Sequence, residues 1–197
     1  ADEQAVIGAA CNATDWLLEQ GYRNVMIEIA NEMNIRYETP IIRPERCHEL
    51  IELVQKRSEG KLNTQAGRLL VSSSMGGGAV PPENIIAASD FVLLHGNGVH
   101  DPDRLAALVD ETRKVPTYRG QPVIVNEDDH YDFDKPKNNF TAAVSRYASW
   151  GFFDYRRDGE AFTEGYQSVP CSWRHDDSAR KRGFFALLAE MTGGTIV

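Results

Sequence analysis

Five short apolar runs, each separated from the next by a stretch of helical periodicity, limit this 197-residue chain to an α/β fold. The runs are Val25 to Ile29, Leu69 to Val71, Phe91 to Leu94, Val123 to Val125 and the Gly151-Phe152-Phe153-Asp154 segment. Between them the helical spacing is plain. Val6, Ala10, Ala13 and Leu17 share one face before the stop at Gly21, and Pro44 suits a first helical position ahead of Cys47, Leu50, Ile51 and Val54. A short helix is expected over Glu83 to Ala88. Asp101-Pro102 reads as an N-cap followed by Pro at the first position, ahead of the stripe Leu105, Leu108, Val109 and Thr112. Asn138 or Asn139 caps a helix carrying Phe140, Val144 and Tyr147, and Phe184, Leu187, Leu188 and Met191 mark the last helix before Gly193. Strands alternating with crossover helices predict a parallel sheet covered by helices, in a single α/β domain over residues 1–197. Trp16, Phe152 and Phe184 are expected in its core.

The polar residues that close the runs carry the chemistry. The first run leads into Asn31-Glu32 and the fourth into Asn126-Glu127, while the third ends at His95. The C-terminal ends of parallel strands are where α/β folds place ligands and catalytic groups. In a flat sheet with strands in sequence order, the backbones of Glu32 and Glu127 would lie about 14 Å apart, too far for joint work on one bond. In an eight-stranded barrel, strands three apart face each other across the mouth and their last side chains converge. The Glu pair therefore favours a barrel over an open doubly wound sheet. Such a barrel needs eight strands, so the five here predict a companion segment of roughly 100 residues or more carrying the missing βα units. The chain starts at Ala1 rather than Met, which points to a removed leader, as in an exported protein, or to a longer precursor.

Charge and cysteine content narrow the partners. A net charge of −8 and an acidic pI near 5.1, with scattered Lys and Arg, exclude a nucleic-acid partner. No run approaches the ~20 apolar residues of a membrane span. Cys11, Cys47 and Cys171 show no metal-knuckle spacing and allow at most one disulfide. Ser73-Ser74-Met75-Gly76-Gly77-Gly78 is rich in glycine but lacks the Gly-Lys-Ser/Thr of a phosphate loop. No cofactor is expected. Asp128, Asp129, Asp132 and Asp134 read as a solvated acidic loop, with a calcium site as the alternative.

On Asn31-Glu32 and Glu127, at the ends of their strands, the chain resembles the retaining glycoside hydrolases of the (β/α)8 superfamily called clan A. The resemblance implies that the five strands are strands four to eight of a TIM barrel, with the first three βα units absent. It further implies that Glu32 is the acid/base and Glu127 the nucleophile of a double displacement, and that Asn31 binds the sugar 2-hydroxyl. His95 falls where the family often has an imidazole or phenol near the nucleophile. The separation of Glu32 from Glu127 fits two intervening βα units. Of the remaining polar and aromatic residues, Asp129 and His130 are candidates to bind hydroxyls, and Tyr131, Trp150, Tyr155 and Trp173 to stack on sugar faces. The substrate class is an oligo- or polysaccharide. Two rival readings remain: a carbohydrate-binding barrel without catalysis, and a metal-dependent barrel hydrolase, for which His95 is the imidazole at a strand end.

Overall fold

The computed structural model describes residues 2–161, 164–165, 174 and 178–195. Helix α1 (Glu3–Glu19) starts where the Asp2 carboxylate accepts the Ala5 N–H at 2.8 Å. It is followed by β1 (Met26–Glu28), α2 (Cys47–Ser58), β2 (Leu70–Ser72), α3 (Glu83–Ala88) and β3 (Val92–His95). Then come α4 (Pro102–Lys114), β4 (Val123–Glu127), α5 (Asn139–Ser145), β5 (Ser149–Trp150) and α6 (Ala179–Thr192). Several boundaries follow from local chemistry. Asp101 caps α4 with Pro102 inside its first turn, Asn138 and Thr141 form a reciprocal capping box on α5, and Gly193 ends α6 at φ +67°.

All strand pairs are parallel. β1 pairs with β2, and β3, β4 and β5 pair in sequence order, forming two ladders that do not close into a barrel among the described residues. A backbone bond from Asp90 N–H to the Val71 carbonyl, 3.0 Å, carries the end of one ladder to the start of the other. The α/β expectation with parallel strands and alternating helices is met.

The two faces of the strands differ. Val92, Leu94, Val123 and Val125 pack with Leu105, Leu108 and Val109 of α4 and Ala143 of α5. Leu69 and Val71 pack with Cys47, Ile51 and Val54 of α2, and Ile27 and Ile29 lie against the same cluster. By alternation, Glu28, Ser72, Leu93, His95, Ile124 and Asn126 belong to the opposite face. That face is rich in polar groups, as expected where a sheet lines a site. The register slips once: Leu94 pairs with Val125, but His95 pairs with Glu127, leaving Asn126 as the extra residue of a bulge.

Three expectations need correction. The fifth strand is Ser149–Trp150, not the Gly151 to Asp154 segment; the Gly151 N–H still bonds the Val125 carbonyl at 2.8 Å, but the chain then leaves the ladder. Phe152 turns into an aromatic cluster, stacking on Phe184 with centroids 4.6 Å apart, and Asp154 pairs with Arg180. Pro44 opens no helix: Arg46 and Cys47 both bond back to the Arg43 carbonyl, so the turn holding Pro44 precedes α2. Trp16 is 53% exposed rather than in the core, and its ring lies 5.6 Å from that of Tyr22.

At the base of β2, Asp90 takes Arg68 in a two-pronged contact, 2.7 Å to each carboxylate oxygen, together with Gln55 Nε2 at 3.0 Å and Val71 N–H at 2.9 Å. Burial pushes the carboxyl up, but Arg68, Val71 and Gln55 outweigh it and hold Asp90 below its ordinary value of 3.8. A depressed folded-state value means that the stabilisation is present above the unfolded value and is lost as pH falls through the folded one. Asp90→Asn is therefore expected to cost about 1–3 kcal/mol in urea unfolding at neutral pH. The difference from wild type should shrink in acid below the ordinary value; an equal loss at both pH values would refute the electrostatic account.

Candidate active site

The site begins where β1 ends. After Ile29 and Ala30 the chain turns sharply, and Glu32 sits at φ +50°, a left-handed conformation that a non-glycine residue adopts at a cost of about 1–3 kcal/mol. Ser74, in the loop after β2, holds it there: the Glu32 N–H donates to Ser74 Oγ at 2.9 Å and the Met33 N–H to the Ser74 carbonyl at 3.0 Å. Ser73 anchors the chain two residues earlier by donating its hydroxyl to the Ala30 carbonyl at 2.7 Å. Strain of this kind, fixed by neighbouring loops, is characteristic of functional positions.

His95, fully buried at the end of β3, joins the two carboxylates. Its Nδ1 lies 3.1 Å from Glu32 Oε1 and 3.4 Å from Glu127 Oε2. A ring nitrogen facing two carboxylates donates to them unless one carboxyl itself carries the proton. The bulge in β4 is what lets this happen, since it turns Glu127 to the face of His95. Asn97 then donates to Glu127 Oε1 at 3.0 Å. One donor atom from each of Glu32, His95 and Glu127 lies within 4.8 Å of the others. The carboxylates therefore sit across a single imidazole. Their side chains keep 23% and 17% exposure, enough for a ligand to reach them.

Glu28 is the residue that the sequence reading passed over. It lies two residues into the polar face, with Asn126 Nδ2 donating to its Oε2 at 3.5 Å. Burial pushes its carboxyl above the ordinary value; Ser74 and His95 pull it back, and the Glu127 charge adds to the rise. Glu28 Oε1, His95 Nε2, Asn97 Oδ1 and Asn126 Oδ1 are buried without a hydrogen-bond partner among the described residues. Such a concentration of unsatisfied polar atoms is unusual away from functional sites.

In the acidic segment after Glu127, Asp132 and Asp134 are solvent-accessible as expected, but Asp128 is not. Asp128 is fully buried and accepts from Trp150 Nε1 at 2.9 Å, Asn139 Nδ2 at 3.2 Å and the His130 backbone N–H at 3.1 Å, with His130 Nδ1 at 2.7 Å. Gly96 makes room for it, because a Cβ there would collide with the Asp128 carboxylate. His130 in turn places Nε2 at 3.0 Å from Nδ1 of the exposed His100. Asp129 remains half-buried, accepting weakly from the Gly98 N–H at 3.4 Å.

The remaining candidates divide. Asn31 is exposed in the turn beside Glu32 and borders a shallow pocket shared with Arg36 and Tyr37. Trp150 is committed to Asp128 through its N–H and to Phe133, Phe140 and Phe184 through its ring. Tyr131 donates to the Phe153 carbonyl at 2.7 Å and lies under the guanidinium groups of Arg157 and Arg180, at 5.0 and 4.7 Å from its centroid. Burial pushes its hydroxyl up to about 12. Tyr155 is half-buried, packed on Phe153 at 5.5 Å. Trp173 lies outside the described residues. Glu32, His95 and Glu127 are thus brought together, with Asp129 and His130 following Glu127, whereas Tyr131 and Trp150 are built into the scaffold.

Two groups have the donor set for a divalent cation: Glu32, His95 and Glu127, and the sequential Asp128, Asp129 and His130. In the second, Asp128 and His130 already satisfy each other. The chain matches no protein-family model, no curated protein and no solved structure.

Proposed function

We propose that the chain carries the catalytic half of a retaining glycosidase acting on an oligo- or polysaccharide. The observation that carries this reading is the approach of Glu32 and Glu127 to within 4.8 Å at one pair of oxygens, astride His95. Carboxyl groups about 5 to 5.5 Å apart suit double displacement, whereas inverting enzymes keep ~6.5 to 9.5 Å for a water molecule. In the first step a Glu127 oxygen bonds to the anomeric carbon while the bond to the leaving oxygen breaks and Glu32 supplies its proton. In the second, water gives its proton to Glu32 and its oxygen to the anomeric carbon, releasing Glu127. His95 and Asn97 hold Glu127 in line, and His95 also steadies Glu32. Asn31 stands beside Glu32, where a sugar hydroxyl would lie.

Strands four to eight of a TIM barrel are part of this proposal. Its support is the one-sided packing of helices on β1 to β4 and the polar residues on the other face. The outer edges of β1 and β5 have no strand partner among the described residues. A groove of about 270 Å³ lies between α1 and β1, lined by Val6, Ala10, Ala13 and Ile27. Companion βα units, in the same polypeptide or another, would cover both.

The trio Glu32, His95 and Glu127 also favours a second reading, a metal-dependent hydrolase. Aryl glycosides assayed with any companion segment present separate the two. Turnover that resists EDTA, with the first-formed sugar keeping its anomeric configuration by proton NMR, is the expected result. Inversion refutes double displacement; activity lost to EDTA and restored by a divalent cation supports the metal reading. Sugar binding without turnover would leave a carbohydrate-binding barrel.

A further inference from the structure

We infer that Glu28 is a positioning residue of this site: it spans the two ladders and fixes the separation of Glu32 and Glu127. The inference rests on the glycosidase reading for its catalytic consequence, but its geometry stands independently. Glu28 is on β1 of the first ladder. Across the gap, Asn126 of β4, the residue immediately before Glu127, donates to Glu28 Oε2 at 3.5 Å. On its own side, Glu28 faces Ser74, whose hydroxyl oxygen takes the Glu32 N–H at 2.9 Å. One carboxyl thereby takes the amide that adjoins Glu127 and lies beside the serine that pins strained Glu32.

No continuous ladder links β1 to β4, because the strand pairing breaks between β2 and β3. The two catalytic carboxyls are therefore carried on separately paired ladders, and side chains must set their spacing. His95 touches both directly; Glu28 reaches the side chain of Asn126, the residue before Glu127. A misplacement of about 1 Å in such a pair is enough to cost roughly 100-fold in rate.

The groups facing Glu28 decide how it responds to pH. They are His95 from β3, Glu127 and Asn126 from β4 and Ser74 from the loop after β2; from the other side of the strand Cys47 of α2 feels the Glu28 charge, its thiol pushed up by burial and further by that charge. From α1 the nearest lining is Val6, Ala9, Ala10, Ala13 and Thr14, none of which titrates. Burial, and to a smaller extent the Glu127 charge, push the Glu28 carboxyl above its ordinary value. Its brace is then pH-dependent, and that property separates positioning from simple packing.

The test combines kinetics with NMR on the protein together with any companion segment. Glu28→Ala is expected to lower kcat on aryl glycosides by about 10- to 100-fold with KM within about 2-fold. Glu28→Gln, which keeps a polar group of the same length for Ser74 and Asn126, should recover most of that loss. It should also alter the pH–rate profile, since the titrating carboxyl is gone. In carbon-13 carboxyl spectra, Glu28 should titrate at lower pH in Glu127→Gln than in wild type. Wild-type kcat and pH profile in both Glu28 variants, in a protein that does hydrolyse glycosides, would overturn the inference. So would a Glu28 titration indifferent to Glu127→Gln, and that result stands whether or not the protein is a glycosidase. If Glu28→Ala fails to fold by circular dichroism, the Gln variant and the spectra decide.

Discussion

Glu127→Gln is expected to lower kcat on aryl glycosides by about 1,000-fold or more, because an amide oxygen cannot open the covalent path and nothing nearby can replace it. Glu32→Gln should lose a comparable factor in kcat/KM with poor leaving groups, but markedly less in kcat/KM with a nitrophenolate. A phenolate of low basicity departs without a proton, so the acid role is dispensable in that step alone. The leaving-group dependence thus assigns the two roles separately, which a loss of activity in both variants would not do. Unchanged turnover in either variant removes the assignment. Both substitutions preserve shape, and Asn97 and His95 can still contact the new amides, so unfolding is not the expected cause of the loss.

The second large effect is on stability. Asp128→Ala is expected to destabilise the fold by about 3 kcal/mol or more in urea unfolding. The reason is less the carboxylate than the groups it leaves behind. Trp150 Nε1, Asn139 Nδ2 and His130 would lose their acceptor in a region with little access to water. Asp128→Asn keeps one acceptor oxygen and should cost clearly less, so the ordering Ala, then Asn, then wild type is part of the expectation. A loss under about 0.5 kcal/mol for the Ala variant would place Asp128 among ordinary surface acids.

Comparing sequence with structure, the legible part of the site is the part written at strand ends. Glu32 and Glu127 follow apolar runs, and their shared Asn-Glu ending drew attention to both. Taking them as a pair favours a barrel; the described strands form two ladders that do not close, and the two carboxylates meet across His95. Glu28 was hidden because it sits inside an apolar run, where a polar residue reads as noise. The usable clue was the alternation Ile27, Glu28, Ile29: in a strand packed on helices by its isoleucines, the intervening glutamate must line the other face. Asp128 was harder. Its burial is made by Trp150 and Asn139, on β5 and α5, and no local pattern distinguishes it from its exposed neighbour Asp134. Aromatic residues misled in both directions. Phe152 and Phe153 look like strand, but Phe152 packs on Phe184 and Phe153 on Tyr155, and Trp16 looks like core but lies on the exposed side of α1.

The bulge at Asn126 has a consequence for how this strand can vary. Val123 and Val125 point into the helix layer, and by strict alternation Glu127 would follow them toward Leu105 and Val109. The extra residue puts the strand out of phase at its last step and turns the glutamate to the opposite side. The direction of Glu127 is therefore encoded by a count of residues and not by the identity of any one of them. Asn126 could be exchanged for another polar residue and Glu127 would still face His95, whereas losing one residue from β4 would aim an intact glutamate into hydrocarbon. In this strand, length is under tighter constraint than composition.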